Sequence, residues 1–401
     1  MASHSDVIIR ADAGASIGLG HIMRCLTIAQ ELIRAGAAVT FAVGNEESLK
    51  ILEQVLPQFP MAAGQMERVI LQSEYTSEES TSDQTCGEGS KTLEAALVRL
   101  AEARSAAVVL LDSYDVDPER MRQLKEGLNS AGTALWYLDD LLAFAYPADG
   151  LINYSFYADR TAYERLYIET ESSQYGVGAA VPKLLLGPSY VPLREVFRAG
   201  GAAASDTEAT QKTSLKVSGK EHEAGSVRPS VLLLTGGTDP CHILPAFLEK
   251  LKNEYRLTAV IGAMNPDRDM LLQQYEGCGS ICLLTDAQNL SELMKSSDFA
   301  VTAAGVTIYE LCALGTLSLC YTLADNQLPN AQTCARLQIM PYLGDARENR
   351  DSAEAVAERT LERLKELEQL TDGERRKKQD RMRALIDGRR AERIASALIA
   401  L

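Results

Sequence analysis

Short runs of β-favouring apolar residues, each followed by a stretch of helical periodicity, recur in two blocks of this chain. That alternation calls for parallel sheets covered by helices. In the first block the runs are Val7–Ile9, Val39–Val43, Val108–Leu111, Leu135–Leu138 and a short Leu151–Ile152, with helical patterns around residues 22–35, 46–55, 91–103 and 117–130. In the second they are Val231–Leu234, Leu257–Ile261, Ile281–Leu284, Phe299–Thr302 and Ser318–Tyr321, with a helix around Leu244–Asn253. Two long amphipathic helices, 351–371 and 374–400, are predicted at the end, interrupted at Thr371-Asp372-Gly373. Between the blocks, residues 199–229 are poor in large apolar side chains and read as a mobile connector. Residues 73–90, rich in Ser, Thr and Glu, read as an exposed insertion. At 401 residues the chain is too long for one core. The expectation is α/β, two open-sheet domains facing across a cleft: residues 1–195, a flexible connector at 196–229, and residues 230–401.

The first strand leads into Gly18-Leu19-Gly20-His21, after which Ile22, Cys25, Leu26, Ala29, Leu32 and Ile33 recur at helical spacing. His21 therefore falls at or near a helix start, where unpaired N–H groups and the positive dipole end favour a neutral ring able to accept a proton. Gly20 lets the backbone approach a ligand at the carboxyl end of the strand. The alternative is a helix-start histidine that bonds only its own loop. Arg10 and Asp12 either orient the His21 loop, contact substrate, or pair with each other. The Asp139-Asp140 pair closes a strand on the expected cleft side, as a substrate contact or as solvated carboxylates.

The second block offers phosphate-binding elements. Gly236-Gly237-Thr238 follows a strand and precedes a helix, a place for a diphosphate or for a purely conformational turn. Ala303-Ala304-Gly305-Val306-Thr307 opens another helix, with Glu310 one turn in, and Ala324-Asp325-Asn326-Gln327 follows the next strand. A small-residue helix start for phosphate, a carboxylate for a ribose diol and a polar loop beyond make a consistent nucleotide-sugar site, although dipole complementarity also accounts for Glu310. Neither a Walker A lysine pattern nor a Gly-x-Gly-x-x-Gly fingerprint with a well-placed acidic residue is present, which disfavours ATP hydrolysis and dinucleotide binding.

A formal charge of -15 argues against a nucleic-acid partner. Eight scattered cysteines without a Cys-x-x-Cys pair, and only four histidines, give no zinc framework and read as the reduced cysteines of a cytoplasmic protein. No signal sequence and no membrane-length apolar window is evident, and no metal or other cofactor is expected.

The second-block pattern resembles glycosyltransferases of the GT-B fold, particularly the one that adds N-acetylglucosamine to lipid I. Arg10-Ala11-Asp12 with Gly18-Leu19-Gly20-His21-Ile22-Met23-Arg24, Leu111-Asp112-Ser113-Tyr114, Leu186-Gly187-Pro188 through Arg194, Gly236-Gly237-Thr238-Asp239 and Asp325-Asn326-Gln327 narrow it. Together they resemble the UDP-2,4-diacetamido-2,4,6-trideoxy-β-L-altropyranose hydrolases of pseudaminic acid biosynthesis. The likeness covers residues 7–45, 105–195, 230–345 and the final helix with Asp387-Gly388. It implies two Rossmann-like domains in GT-B architecture and hydrolysis of a UDP-sugar by water attack at the anomeric carbon, with His21 as general base. Tyr114 and Asn326 would line the sugar, Tyr114 bonding to the sugar or to the attacking water. Asn326 and Gln327 would fix its amide and hydroxyl groups, Glu310 the ribose, and Gly236, Gly237, Gly305 and Thr307 the diphosphate. Thr285 and the 286–289 loop would meet uracil. Two other readings remain at this point: a transferase with a soluble acceptor, and a non-catalytic nucleotide-sugar binder.

Overall fold

The computed structural model describes residues 6–14, 19–71, 92–171, 181–197, 228–262, 264–285, 287, 289–347, 350–386 and 390–400. The insertion at 73–90, residues 199–227 of the expected connector, Gly18, Cys86, Asp286 and the Asp387-Gly388 pair lie outside these residues. The chain divides into two units, Met1–Leu193 with Arg389–Leu401, and Arg194–Gly388.

The first unit is built on seven strands: β1 Asp6–Ala11, β2 Ala38–Val43, β3 Glu67–Ile70, β4 Val108–Asp112, β5 Ala134–Leu138, β6 Gly150–Asn153 and β7 Lys183–Leu186. All pair in parallel, in the order β3-β2-β1-β4-β5-β6-β7. The second unit has six: β8 Ser230–Leu234, β9 Arg256–Val260, β10 Ile281–Leu284, β11 Phe299–Ala303, β12 Ser318–Thr322 and β13 Tyr342–Asp345. Their order, β10-β9-β8-β11-β12-β13, is again parallel throughout. In each unit the strand order reverses beside the first strand, at β1/β4 and at β8/β11. Such reversals are where loops at the carboxyl ends of parallel strands diverge and ligands bind in open α/β sheets.

Both units are α/β with parallel sheets, as the apolar runs require. Three strands go beyond the expected set: β3, β7 and β13, each four residues long and each at a sheet edge. Central strands such as β1 and β4 are buried on both faces and read as apolar runs, whereas β3, β7 and β13 each include a charged residue (Glu67 and Arg68, Lys183, Asp345) within only four positions and show no apolar run as clear as that of β10.

The Gly20–Arg34 helix is buried on almost every side. Its apolar residues pack between the sheet and the Arg390–Ile399 helix, which buries Ala391, Ile394, Ala395 and Leu398 at helical spacing. Each such aliphatic side chain contributes about 1.5–3 kcal/mol when fully buried. The expected helix over 374–400 is thus corrected to two helices, Asp372–Leu385 and Arg390–Ile399, of which the second belongs to the first unit rather than to residues 230–401. The Asp372–Leu385 helix starts at a Thr371/Glu374 capping box and packs on the Thr307–Leu314 helix, where Arg383 Nε donates to Leu314 O (3.2 Å) at its C-terminus.

Candidate functional site

His21 is the second residue of the Gly20–Arg34 helix, which begins without a side-chain cap. Its Nδ1 lies 2.6 Å from Asp112 Oδ1, at the end of β4, and both side chains are buried. Arg24, one turn further on, places Nη2 3.3 Å from the same Nδ1. Arginine only donates and an ionised carboxylate only accepts, so a contact of 2.6 Å to Asp112 requires the proton on Nδ1. The neutral ring therefore presents Nε2 as an acceptor, and no partner for Nε2 is found among the described residues.

Asp112 is gripped at both oxygens. Arg24 Nε donates to Oδ2 at 2.6 Å and Nη2 to Oδ1 at 2.5 Å, while Cys25 Sγ reaches Oδ2 at 3.4 Å. Burial alone would raise the carboxyl, but the Arg24 guanidinium and the His21 ring beside it hold it well below the usual carboxylate range. Arg24 Nη1 continues to Asp140 Oδ2 (3.1 Å) and the Tyr154 hydroxyl (2.9 Å), and burial pushes that phenol up to about 12. Tyr114 donates its hydroxyl to Asp140 Oδ2 at 2.6 Å and sets its ring edge-on to His21, centroids 4.5 Å apart. With its proton committed to Asp140, the Tyr114 oxygen can accept from a ligand.

The Asp139-Asp140 pair separates into two roles. Asp139 ties its own loop, accepting from Leu141 and Leu142 N–H and from the Tyr163 hydroxyl, and thereby aims Asp140 at Arg24 and Tyr114. Arg10 and Asp12 bond each other at 2.6 Å, and Asp12 accepts from Gly44 N–H at 2.7 Å. Arg10 lines a small recess with Leu97, Leu111, Ser113 and Met121, so the structure does not bring this pair into the His21 cluster. Gly20 lies beside His21 with open space where a Cβ would project.

In the second unit, Gly236 adopts φ +80° and its carbonyl, with that of Gly237, lies where a Cβ on Gly262 would fall, 2.4 and 2.2 Å away. Only glycine at 262 lets the loops after β8 and β9 meet. Met264 N–H bonds Gly237 O there. Asp239 caps the Ile243–Leu251 helix through Ile243 and Leu244 N–H. Gly305 precedes the Thr307–Leu314 helix, whose start has no side-chain cap, and a Cβ on Gly305 would meet open space. Glu310 is buried and accepts from Arg194 at 3.1 Å. Asn326 sits in the Asp325–Gln327 turn after β12, flanked by Asp325, which pairs with Arg347, and Gln327, whose Oε1 accepts from Leu323 N–H. Thr285 follows β10, half-buried.

Not expected from the sequence are Asp112 and Arg24 as neighbours of His21, and Tyr154 as a partner of Arg24. The signals for the first two are a carboxylate closing an apolar strand and an arginine three residues beyond the histidine, among the apolar positions of its helix. Among the described residues no three His, Cys, Asp or Glu side chains are grouped to hold a metal ion, and no helix is long and apolar enough to cross a membrane. None of the seven described cysteines forms a disulfide.

No protein-family model matches the chain. It is 28% identical over 92 residues to uncharacterized protein MJ1062 of Methanocaldococcus jannaschii, a match spanning 21% of this chain and 19% of that protein. It is 21% identical over 332 residues to spore coat polysaccharide biosynthesis protein SpsG of Bacillus subtilis, spanning 82% and 80%. Among solved structures, Acinetobacter baumannii MurG superposes with TM-score 0.58 at 11% identity, covering 99% of this chain and 100% of that one. TcCGT1 in complex with UDP superposes with TM-score 0.57 at 13% identity, covering 99% and 100%. The chain has the GT-B fold, two parallel-sheet α/β units of seven and six strands.

Proposed function

We propose that the protein is a nucleotide-sugar enzyme that hydrolyses a UDP-linked 2,4-diacetamido-2,4,6-trideoxy sugar. The observation that carries this reading is the buried Asp112–His21 pair, which leaves Nε2 as a base with its tautomer fixed. Nε2 takes a proton from water, the water oxygen bonds the anomeric carbon, and the bond from that carbon to the β-phosphate oxygen breaks with its electron pair leaving on UDP. A terminal phosphate with pKa of roughly 6 leaves without a strong general acid. One displacement inverts the anomeric centre.

The remaining expectations fit the same scheme as proposals. Gly236, Gly237, Gly305 and Thr307 take the diphosphate, helped by uncapped N–H groups, Glu310 the ribose and Thr285 the uracil side. Tyr114 accepts a hydrogen bond from the sugar or the water, and Asn326 meets the sugar amides. Gln327 supports its loop as well as the sugar, Gly20 leaves the approach to His21 open, and Arg10 and Asp12 hold the end of β1 rather than the substrate. A fold neighbour solved with UDP supports the choice of nucleotide.

A second reading, a GT-B glycosyltransferase with a soluble acceptor, is favoured by the likeness to SpsG, a spore coat polysaccharide biosynthesis protein. There Nε2 deprotonates a sugar hydroxyl instead of water. UDP release in buffer without acceptor, from a panel holding the diacetamido sugar nucleotide and UDP-N-acetylglucosamine, separates the two. Rapid release from the former supports the hydrolase. Release that waits for an added acceptor supports the transferase.

A further inference from the structure

Arg24 is more than a His–Asp pair needs. A carboxylate alone can orient an imidazole, yet here a buried guanidinium spends three nitrogens on two carboxylates and a phenol. Asp112 and Asp140 carry two negative charges and Arg24 one positive charge, so the cluster holds one excess negative charge while His21 is neutral. It is balanced once His21 takes a proton. Without Arg24 two unscreened carboxylates would serve the ring, and Asp112 would be free to compete for the proton.

The surroundings of His21 add few other charges. Its own helix supplies Arg24 and Cys25, the end of β4 supplies Asp112 and Tyr114, and the loops after β5 and β6 supply Asp140 and Tyr154. Arg10, in β1, pairs with Asp12 just beyond the strand, and Asp12 also accepts from Gly44 N–H. β2 and the Pro60–Gln65 helix carry no ionisable side chain. On the Arg390–Ile399 helix, Arg393 donates to Ser189 O and Glu392 lines a surface recess with Tyr190.

We propose that Arg24 is a positioning residue: by clamping both oxygens of Asp112 and reaching Asp140, it keeps Asp112 a pure acceptor, so that the abstracted proton stays on His21 rather than passing to Asp112, and it ties Tyr114 to the same cluster through Asp140. The proposal rests on His21 acting as the base, but its geometry belongs to the protein alone, so it is testable without substrate.

Nitrogen NMR of the full chain labelled in its four histidines reads tautomer and titration midpoint, with His21→Asn assigning the signal. The wild type should show the Nδ1–H tautomer. Arg24→Met exposes the ring to both carboxylates and should raise the His21 midpoint by at least one pH unit, a tenfold gain in proton affinity. Asp140→Asn removes one negative charge while leaving the Arg24–Asp112 clamp, and should lower the midpoint. Arg24→Lys keeps the charge and should stay within half a unit of wild type. Should Arg24→Met fail to fold, Asp140→Asn and Arg24→Lys carry the test. A folded Arg24→Met or Asp140→Asn variant whose midpoint does not move, an upward shift in Asp140→Asn, or an Arg24→Lys midpoint displaced by more than half a unit would overturn the proposal. Midpoints that move as stated in a protein that releases no UDP would leave the clamp standing and remove the hydrolase reading.

Discussion

His21 Nδ1 and Asp112 Oδ1 meet at 2.6 Å although 91 residues separate them. The cause is topological. β1 and β4 are neighbours in register, with Ala11 opposite Asp112, so the last residue of β4 is delivered beside the helix that follows β1. This is the point where the strand order reverses, and the base and its orienting acid come from its two sides.

Tyr114 is 40% exposed, so its removal should leave folding intact. Tyr114→Phe keeps the edge-on ring against His21 and loses the hydroxyl. We expect kcat for UDP release to fall roughly 10–100-fold, with thermal stability unchanged. An unchanged kcat would take Tyr114 out of the reacting site.

Asp112 links the site to acid stability. Its folded carboxyl is held below the ordinary value of about 4, so its contribution is fully present above that value and is lost as pH falls through the lower, folded one. Asp112→Asn removes the ion partner that grips Arg24 through two nitrogens, leaving the buried guanidinium only its 3.1 Å ionic contact to Asp140, and should cost about 3–5 kcal/mol near neutrality. The gap to wild type should narrow below about pH 4. Trp136, the one tryptophan and fully buried in β5, reports unfolding of the first unit by fluorescence. A gap that stays constant down to pH 3 would contradict the ion-pair account.

Gly262→Ala puts a Cβ 2.2 Å from Gly237 O. Backbone must move, at a cost of about 1–3 kcal/mol, and the loop offered to the diphosphate moves with it. UDP affinity measured by calorimetry should drop at least about tenfold, while a Gly279→Ala control, with open space at its Cβ, should bind as wild type.

Glu310→Gln tests the ribose contact. The wild type should prefer UDP over 2′-deoxy-UDP, and the glutamine variant should lose about 1.4 kcal/mol of that preference, a factor of ten. A retained preference would mean that Glu310 serves only its bond to Arg194.

The central strands were legible because β1, β4, β8 and β11 are continuous apolar runs, and His21 was legible as a polar residue between such a run and a helical pattern. Arg24 was hidden because the pattern around it is that of a buried face, where a charge reads as an irregularity until its partner is seen. Asp112 and Asp140 each stand one or two residues beyond an apolar run, where a carboxylate is ambiguous between solvent and site. What resolves them is which strands are adjacent, a long-range property that no local window carries. The same limit put the last helix in the wrong unit: its apolar stripe is plain, but the Gly20–Arg34 helix that it covers lies some 370 residues earlier.

The most direct test of the account is turnover and UDP affinity of His21→Asn against wild type, in ¹⁸O water with the diacetamido sugar nucleotide. The account predicts label on the sugar in the wild type, a loss of turnover of roughly 10²–10⁴-fold in the variant, and UDP affinity within about twofold. A variant that loses UDP affinity as steeply as turnover, or one that turns over normally, would contradict His21 as the base.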